Sequence, residues 1–203
     1  MHDHSPSSHL DPRAPLVFDT RDLPRRPGAM RVVRRAVPAP ADLGLELIGV
    51  PRGADLALDL RFESVSEGVL VSGTVTAPVE GECGRCLVPI SDTVTVPIQE
   101  LYAYEHSTTD ETAEEDEVGR LQGDLFDLEP ALRDSVVTAL PTNPRCREDC
   151  PGLCPECGTP WDDLPADHSH AQVDPRWAAL RELADPAQTE QARAARGPDP
   201  EEN

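Results

Sequence analysis

The chain has 203 residues, 18 basic side chains against 38 acidic ones, a net charge of -20, 3% aromatic residues and 22 prolines. This composition suits one domain of ordinary size with loose ends, and argues against a single core running the length of the chain. Every basic side chain is Arg. Walker A phosphate loops, Schiff-base enzymes and protein kinases each need a Lys, so all three are excluded. GxSxG and HExxH are absent too, and the chain reads as a non-enzyme.

The first residues, "MHDHSPSSHL", are polar, and nowhere do about 18 apolar residues run together as a membrane helix needs. We therefore expect a cytoplasmic protein with no membrane contact and no small-molecule substrate. Thiols stay reduced in that compartment, so clustered cysteines point to a metal site or a redox pair before a disulfide framework.

Residues 1–13 read as a disordered tail and 14–183 as a single domain. Its opening stretch, 14–40, is an Arg-rich arm. Seven Arg against four Asp make residues 1–40 about +3, in a chain of -20. The rest of the body would repel a phosphate backbone within a Debye length of about 8 Å. Contact with RNA or a partner would then fall to Arg21, Arg25, Arg26, Arg31, Arg34 and Arg35, unless these are solvated surface.

Residues 41–104 read as β-rich. In "DLALDLRF", Leu56, Leu58, Leu60 and Phe62 alternate with polar or small residues, the period of a half-buried strand. Val69, Val71, Val75, Ala77 and Val79 continue the pattern after a turn at "SEG", which predicts a hairpin. A third run places Val94, Val96 and Ile98 on one face, and Pro97 marks it as an edge strand or a bulge. "CGRC", Cys83 to Cys86, lies between the second and third runs and is expected at a hairpin tip, with Gly84 allowing the tight turn.

The acidic stretch 105–123 has no apolar period and reads as a loop. From 124 to 141, Leu125, Leu128, Leu132, Val136 and Leu140 fall at helical spacing, with Pro130 in the first turn and Pro141 as the stop. Residues 142–172 are Cys- and His-rich. A short helix is expected at 174–184, capped by Asp174 with Trp177 and Leu180 facing inward, and 185–203 reads as a second disordered tail. Trp161 and Trp177 read as core or cap residues. The fold class is α+β: an antiparallel sheet, a packed helix and a cysteine-rich metal-binding segment.

"CREDCPGLCPECG" holds Cys146, Cys150, Cys154 and Cys157. "CPECG" has the form of a zinc knuckle, in which the Gly after the second Cys takes the required backbone conformation. Two facing knuckles supply four thiolates, so Cys83, Cys86, Cys154 and Cys157 are the first choice of ligands. A local site from Cys146, Cys150, Cys154 and Cys157 competes with it. Cys146 and Cys150 could also form a second site with His168 and His170. Zinc suits such sites, and iron is the alternative metal.

"LVFDTRDLPRRPGAM", "GECGRCL", "CREDCPGLCPECG" and "DPRWAAL", in this order and spacing, resemble the YceD family, the large ribosomal RNA subunit accumulation proteins. The resemblance covers residues 14 to 183. It implies a non-enzymatic factor needed for accumulation of large-subunit ribosomal RNA, with the pre-ribosomal large subunit or an assembly protein as partner. Cys83, Arg85 and Cys86 match the family's first cysteine element, and Cys146, Cys150, Cys154, Cys157 and Gly158 match its second. Where some relatives carry a further Cys-x-Cys pair, this chain has His168 and His170. A zinc–thiol redox switch and a rubredoxin-like iron carrier are the competing functions.

Overall fold

A computed structural model describes residues 9–105, 107, 119–170 and 176. The chain divides into two compact units at Gly152 and Leu153, where the sequence suggested one domain over 14–183.

The first unit is built on an antiparallel sheet in the order β2 (Met30–Pro38), β4 (Asp55–Ser64), β5 (Gly68–Glu82), β6 (Pro89–Ala103). A short β3 (Ile48–Gly49) pairs with the far end of β5, and β7 (Gly119–Arg120) runs parallel to the end of β6. A separate two-stranded ribbon joins β1 (Val17–Asp19) to β8 (Leu125–Asp127). The one α-helix among the described residues, α1 (Glu129–Ala139), packs against β6.

The period of two decides which face is buried. Leu56, Leu58, Leu60 and Phe62 of β4 are all buried, as are Val69, Val71, Val75, Ala77 and Val79 of β5 and Val96 and Ile98 of β6. Asp55, Ala57, Asp59 and Arg61 are exposed on the opposite side. The predicted hairpin closes with Val65 N–H donating to the Gly68 carbonyl at 2.9 Å.

The two prolines inside β5 and β6, Pro78 and Pro97, sit where the ladder asks little of them. Pro97 pairs with Thr74 on one side, and the far edge of β6 is covered by β7 only at Tyr102 and Ala103. Pro78 falls between the end of the β4 pairing at Thr76 and the start of the β3 pairing at Glu80. At Gly73, a Cβ would come within 2.1 Å of the Asp59 carbonyl oxygen, so the close β4–β5 approach requires glycine there.

The chain has three Phe, and all three meet. Phe18 of β1 stacks on Phe126 of β8, and Phe62 of β4 meets both edge-on. Tyr102 of β6 stacks on Phe126 with centroids 4.2 Å apart. Leu132 and Val136 bring α1 into the same core.

One expectation changes. Leu125 does not open the helix; it belongs to β8, and α1 starts at Glu129, whose N–H donates to the Asp127 carboxylate at 2.9 Å. The bond gives one of the otherwise orphan N–H groups at the helix N-terminus a partner. The Arg-rich arm, 14–40, is built into the domain, with β1 and β2 integral to the ribbon and the sheet.

Of its six Arg candidates, Arg31 and Arg35 lie over the rings of Phe62 and Phe18, at 5.3 and 4.1 Å. Arg21 pairs with Asp19, which holds that carboxyl below its usual range. Arg25 pairs with Asp124 and Arg34 with Asp59. Only the Arg26 side chain is without a partner among the described residues.

The second unit is described over 153–170 and at 176. A bridge joins Leu153 to Pro160, and a single 3-10 turn follows at Trp161–Asp163. Trp161, expected in a core or cap, is 39% exposed. The expected helix at 174–184 with Trp177, the tail 185–203, residues 1–8 and most of the acidic loop lie outside the described residues. Among the described residues no helix is long and apolar enough to cross a membrane.

Candidate metal centres

The β5–β6 hairpin ends in a closed six-residue turn, as the position of "CGRC" between two strands requires. Cys83 N–H donates to the Val88 carbonyl, and Leu87 N–H donates back to the Cys83 carbonyl, each at 2.9 Å. The left-handed position of this turn is Leu87, at φ 61°. It is the residue after the second Cys, and not Gly84, that needs the unusual backbone.

In the second unit "CPECG" makes the same turn. Cys154 N–H donates to the Thr159 carbonyl at 2.8 Å and Gly158 N–H to the Cys154 carbonyl at 2.9 Å. Gly158 is left-handed at φ +69°, as its place after the second Cys predicts. Two sequences with only the cysteines in common thus adopt one backbone.

The ligand sets differ from the first choice. Cys83 and Cys86 are joined by Cys146 and Cys150, and Cys154 and Cys157 are joined by His168 and His170; in each set all four ligand atoms lie within 4.8 Å of one another. The physical reason is the loop after α1. It lies against the hairpin turn, with Gly84 N–H donating to the Pro144 carbonyl at 2.8 Å and Arg85 donating to the Cys150 carbonyl at 2.7 Å. Neither the local set of Cys146, Cys150, Cys154 and Cys157 nor the pairing of Cys146 and Cys150 with the two His is formed.

In the first centre, Cys83 and Cys150 Sγ are 3.8 Å apart and Cys86 and Cys146 Sγ 3.6 Å. A disulfide would need about 2.05 Å. Four thiolates about 2.3 Å from a tetrahedral metal stand about 3.8 Å from each other, which is the spacing found. All six cysteines are free thiols.

Burial would raise the Cys83 thiol, but bonds from the backbone N–H groups of Cys146, Cys86 and Arg85 outweigh it and bring it down to about 6. Cys146, with its sulfur desolvated among three others, is pushed up to about 12. A divalent cation held by all four would stabilise the thiolates together, and zinc or iron fits four sulfurs.

In the second centre, Cys154 Sγ lies 3.3 Å from His170 Nε2, and Cys157 Sγ lies 3.7 Å from His168 Nε2. A tetrahedral zinc with two sulfurs at about 2.3 Å and two nitrogens at about 2.05 Å asks for S to N separations of about 3.6 Å. The Thr159 hydroxyl and N–H lower Cys157 to about 6, burial opposing them. His170 Nδ1 lies 3.7 Å from the Glu156 carboxylate, leaving Nε2 to face the sulfurs.

A family model described as large ribosomal RNA subunit accumulation protein YceD matches residues 71–184. A protein of Mycobacterium tuberculosis is 53% identical over 183 residues, covering 90% of this chain and 88% of that protein. One of Mycobacterium leprae is 49% identical over 173 residues, covering 85% and 79%. YlbN of Bacillus subtilis is 29% identical over 126 residues, covering 62% and 69%. No solved structure matches the chain.

Proposed function

The chain belongs to the YceD family, and on that premise we propose that it is a non-enzymatic cytoplasmic factor supporting accumulation of large-subunit ribosomal RNA, with zinc clamping its hairpin tip. The observation that carries the reading is the family match, which takes in the hairpin tip and all eight ligand candidates. Zinc held by Cys83, Cys86, Cys146 and Cys150 would tie the tip to the loop leaving α1. It would act as a cross-link and do no chemistry on a substrate.

The tip then presents Leu87, 55% exposed, and Val88, 38% exposed. An apolar pair held on a rigid turn suits a protein partner. Charge argues the same way: the chain carries -20, and five of the six Arg proposed for RNA contact are engaged within the fold. The partner in this reading is a protein of the assembling large subunit, with RNA reached through it.

Deleting the gene in its host should lower the ratio of large- to small-subunit ribosomal RNA. Wild-type protein should restore the ratio, and Cys83→Ser/Cys86→Ser should not. An unchanged ratio on deletion would overturn the proposal.

A further inference from the structure

Residues 153–170 form turns without a core. None of them belongs to the apolar cluster, Trp161 is 39% exposed, and the buried hydrophobic or sulfur-bearing side chain among them is Cys154. A stretch with this little apolar burial among its described residues is of the kind that a disulfide or a metal holds together. No disulfide is formed.

What converges instead is a ligand set. The Nε2 atoms of His168 and His170 face each other at 2.8 Å, and each also faces a cysteine sulfur. At this separation one imidazole can donate Nε2–H to the other, and a cation held by both nitrogens would replace that proton and set them about 3.3 Å apart. The backbone is shaped for the same end: the knuckle turn closes on itself, and His168 N–H donates to the Pro165 carbonyl at 2.9 Å, turning the chain so that both imidazoles return to the knuckle. The ring of Trp161 abuts His168 edge-on, with centroids 5.6 Å apart.

We propose that Cys154, Cys157, His168 and His170 bind a second zinc ion, distinct from the four-thiolate one, and that binding it and folding residues 153–170 are a single event. The two ions then have unequal roles. The first unit has its own sheet, helix and apolar core, so a metal there reinforces a structure that already exists. Among the described residues of the second unit, 153–170 contribute nothing to an apolar cluster, and the ligand set is what draws them together. The donor sets also differ in charge: four thiolates leave a zinc site at about -2, and two thiolates with two neutral imidazoles leave it at about zero.

The test uses the full chain, purified reduced and loaded with zinc. Native mass spectrometry should find two zinc ions per chain. His168→Ala/His170→Ala and Cys154→Ser/Cys157→Ser should each hold one. Hydrogen exchange of these variants should show peptides from 153–170 at unprotected rates, while β4, β5 and β6 stay protected, which confirms that the first unit is folded.

Two zinc ions retained by the His variant would overturn the proposal. So would equal protection of 153–170 with and without its ligands. Cys83→Ser/Cys86→Ser separates this site from the one in the proposed function: it should lose the first ion and keep the second, and loss of both would overturn the independence of the sites.

Discussion

Tyr102→Phe should stabilise the protein. Tyr102 is 3% exposed, with its ring stacked on Phe126 at 4.2 Å, and the substitution leaves that ring in place. Its hydroxyl is buried without a hydrogen-bond partner among the described residues. An unpaired buried hydroxyl costs about 1–3 kcal/mol. Taking the low end, because the ring loses its contacts through oxygen, we expect a gain of about 1 kcal/mol and a Tm higher by about 2–4 °C.

The pH dependence supplies a second, independent sign. Burial, and after it the charges of Glu100 and Asp127, raise the Tyr102 pKa above its ordinary value of 10.0. Below that value the hydroxyl is neutral in both states and contributes no slope. Above it the unfolded chain releases the proton and the folded one keeps it, so stability of the wild type falls as pH rises. The Phe variant lacks this term. Thermal unfolding followed by circular dichroism from pH 7 to 11, with zinc saturating, should show a gap in favour of the variant that widens from pH 10 upward. A variant less stable at pH 7, or a gap independent of pH, would refute the reasoning.

Gly73→Ala should be the most damaging glycine substitution in the sheet: its Cβ would meet the Asp59 carbonyl oxygen at 2.1 Å, as one at Gly68 would meet that of Tyr102, and Gly73 adds a φ of +150°. A loss above about 3 kcal/mol in denaturant unfolding is expected. Gly158→Ala meets nothing within 4 Å, so only its φ of +69° is penalised. That strain of about 1–2 kcal/mol should weaken zinc at the second centre about tenfold in chelator competition. Arg35→Ala, which uncovers Phe18, should cost about 1–2 kcal/mol, and Arg26→Ala should change stability by less than about 0.5 kcal/mol. Equal losses for the two Arg variants would contradict the structural role given to Arg35.

Much of the sheet was legible because β-burial is a local pattern. Leu56 to Phe62 and Val69 to Val79 announce their inward face through alternation alone, and the tip position of "CGRC" follows from the strands on either side. The start of α1 was not legible. Leu125 fits the helical stripe as well as it fits a strand, and only the partner strand β1, more than a hundred residues earlier, settles the choice.

The Arg-rich segment misled for the same reason. Composition gives charge but does not tell that Arg31 and Arg35 lie over Phe62 and Phe18. Guanidinium groups stacked on aromatic rings look, in sequence, the same as guanidinium groups in water.

The cysteines divide along this line. Sequence alone nominated the eight candidate ligand residues and located the two knuckle turns, because each turn is closed by hydrogen bonds within six residues. Tertiary structure decided how the eight are shared out. The partner of "CGRC" depends on where the chain arrives after α1, and that is set by Leu132 and Val136 packing on the sheet and by the bonds from Gly84 and Arg85 to the loop that follows. Spacing along the chain contains none of those contacts, so it could nominate Cys146 and Cys150 as ligands without placing them beside Cys83 and Cys86.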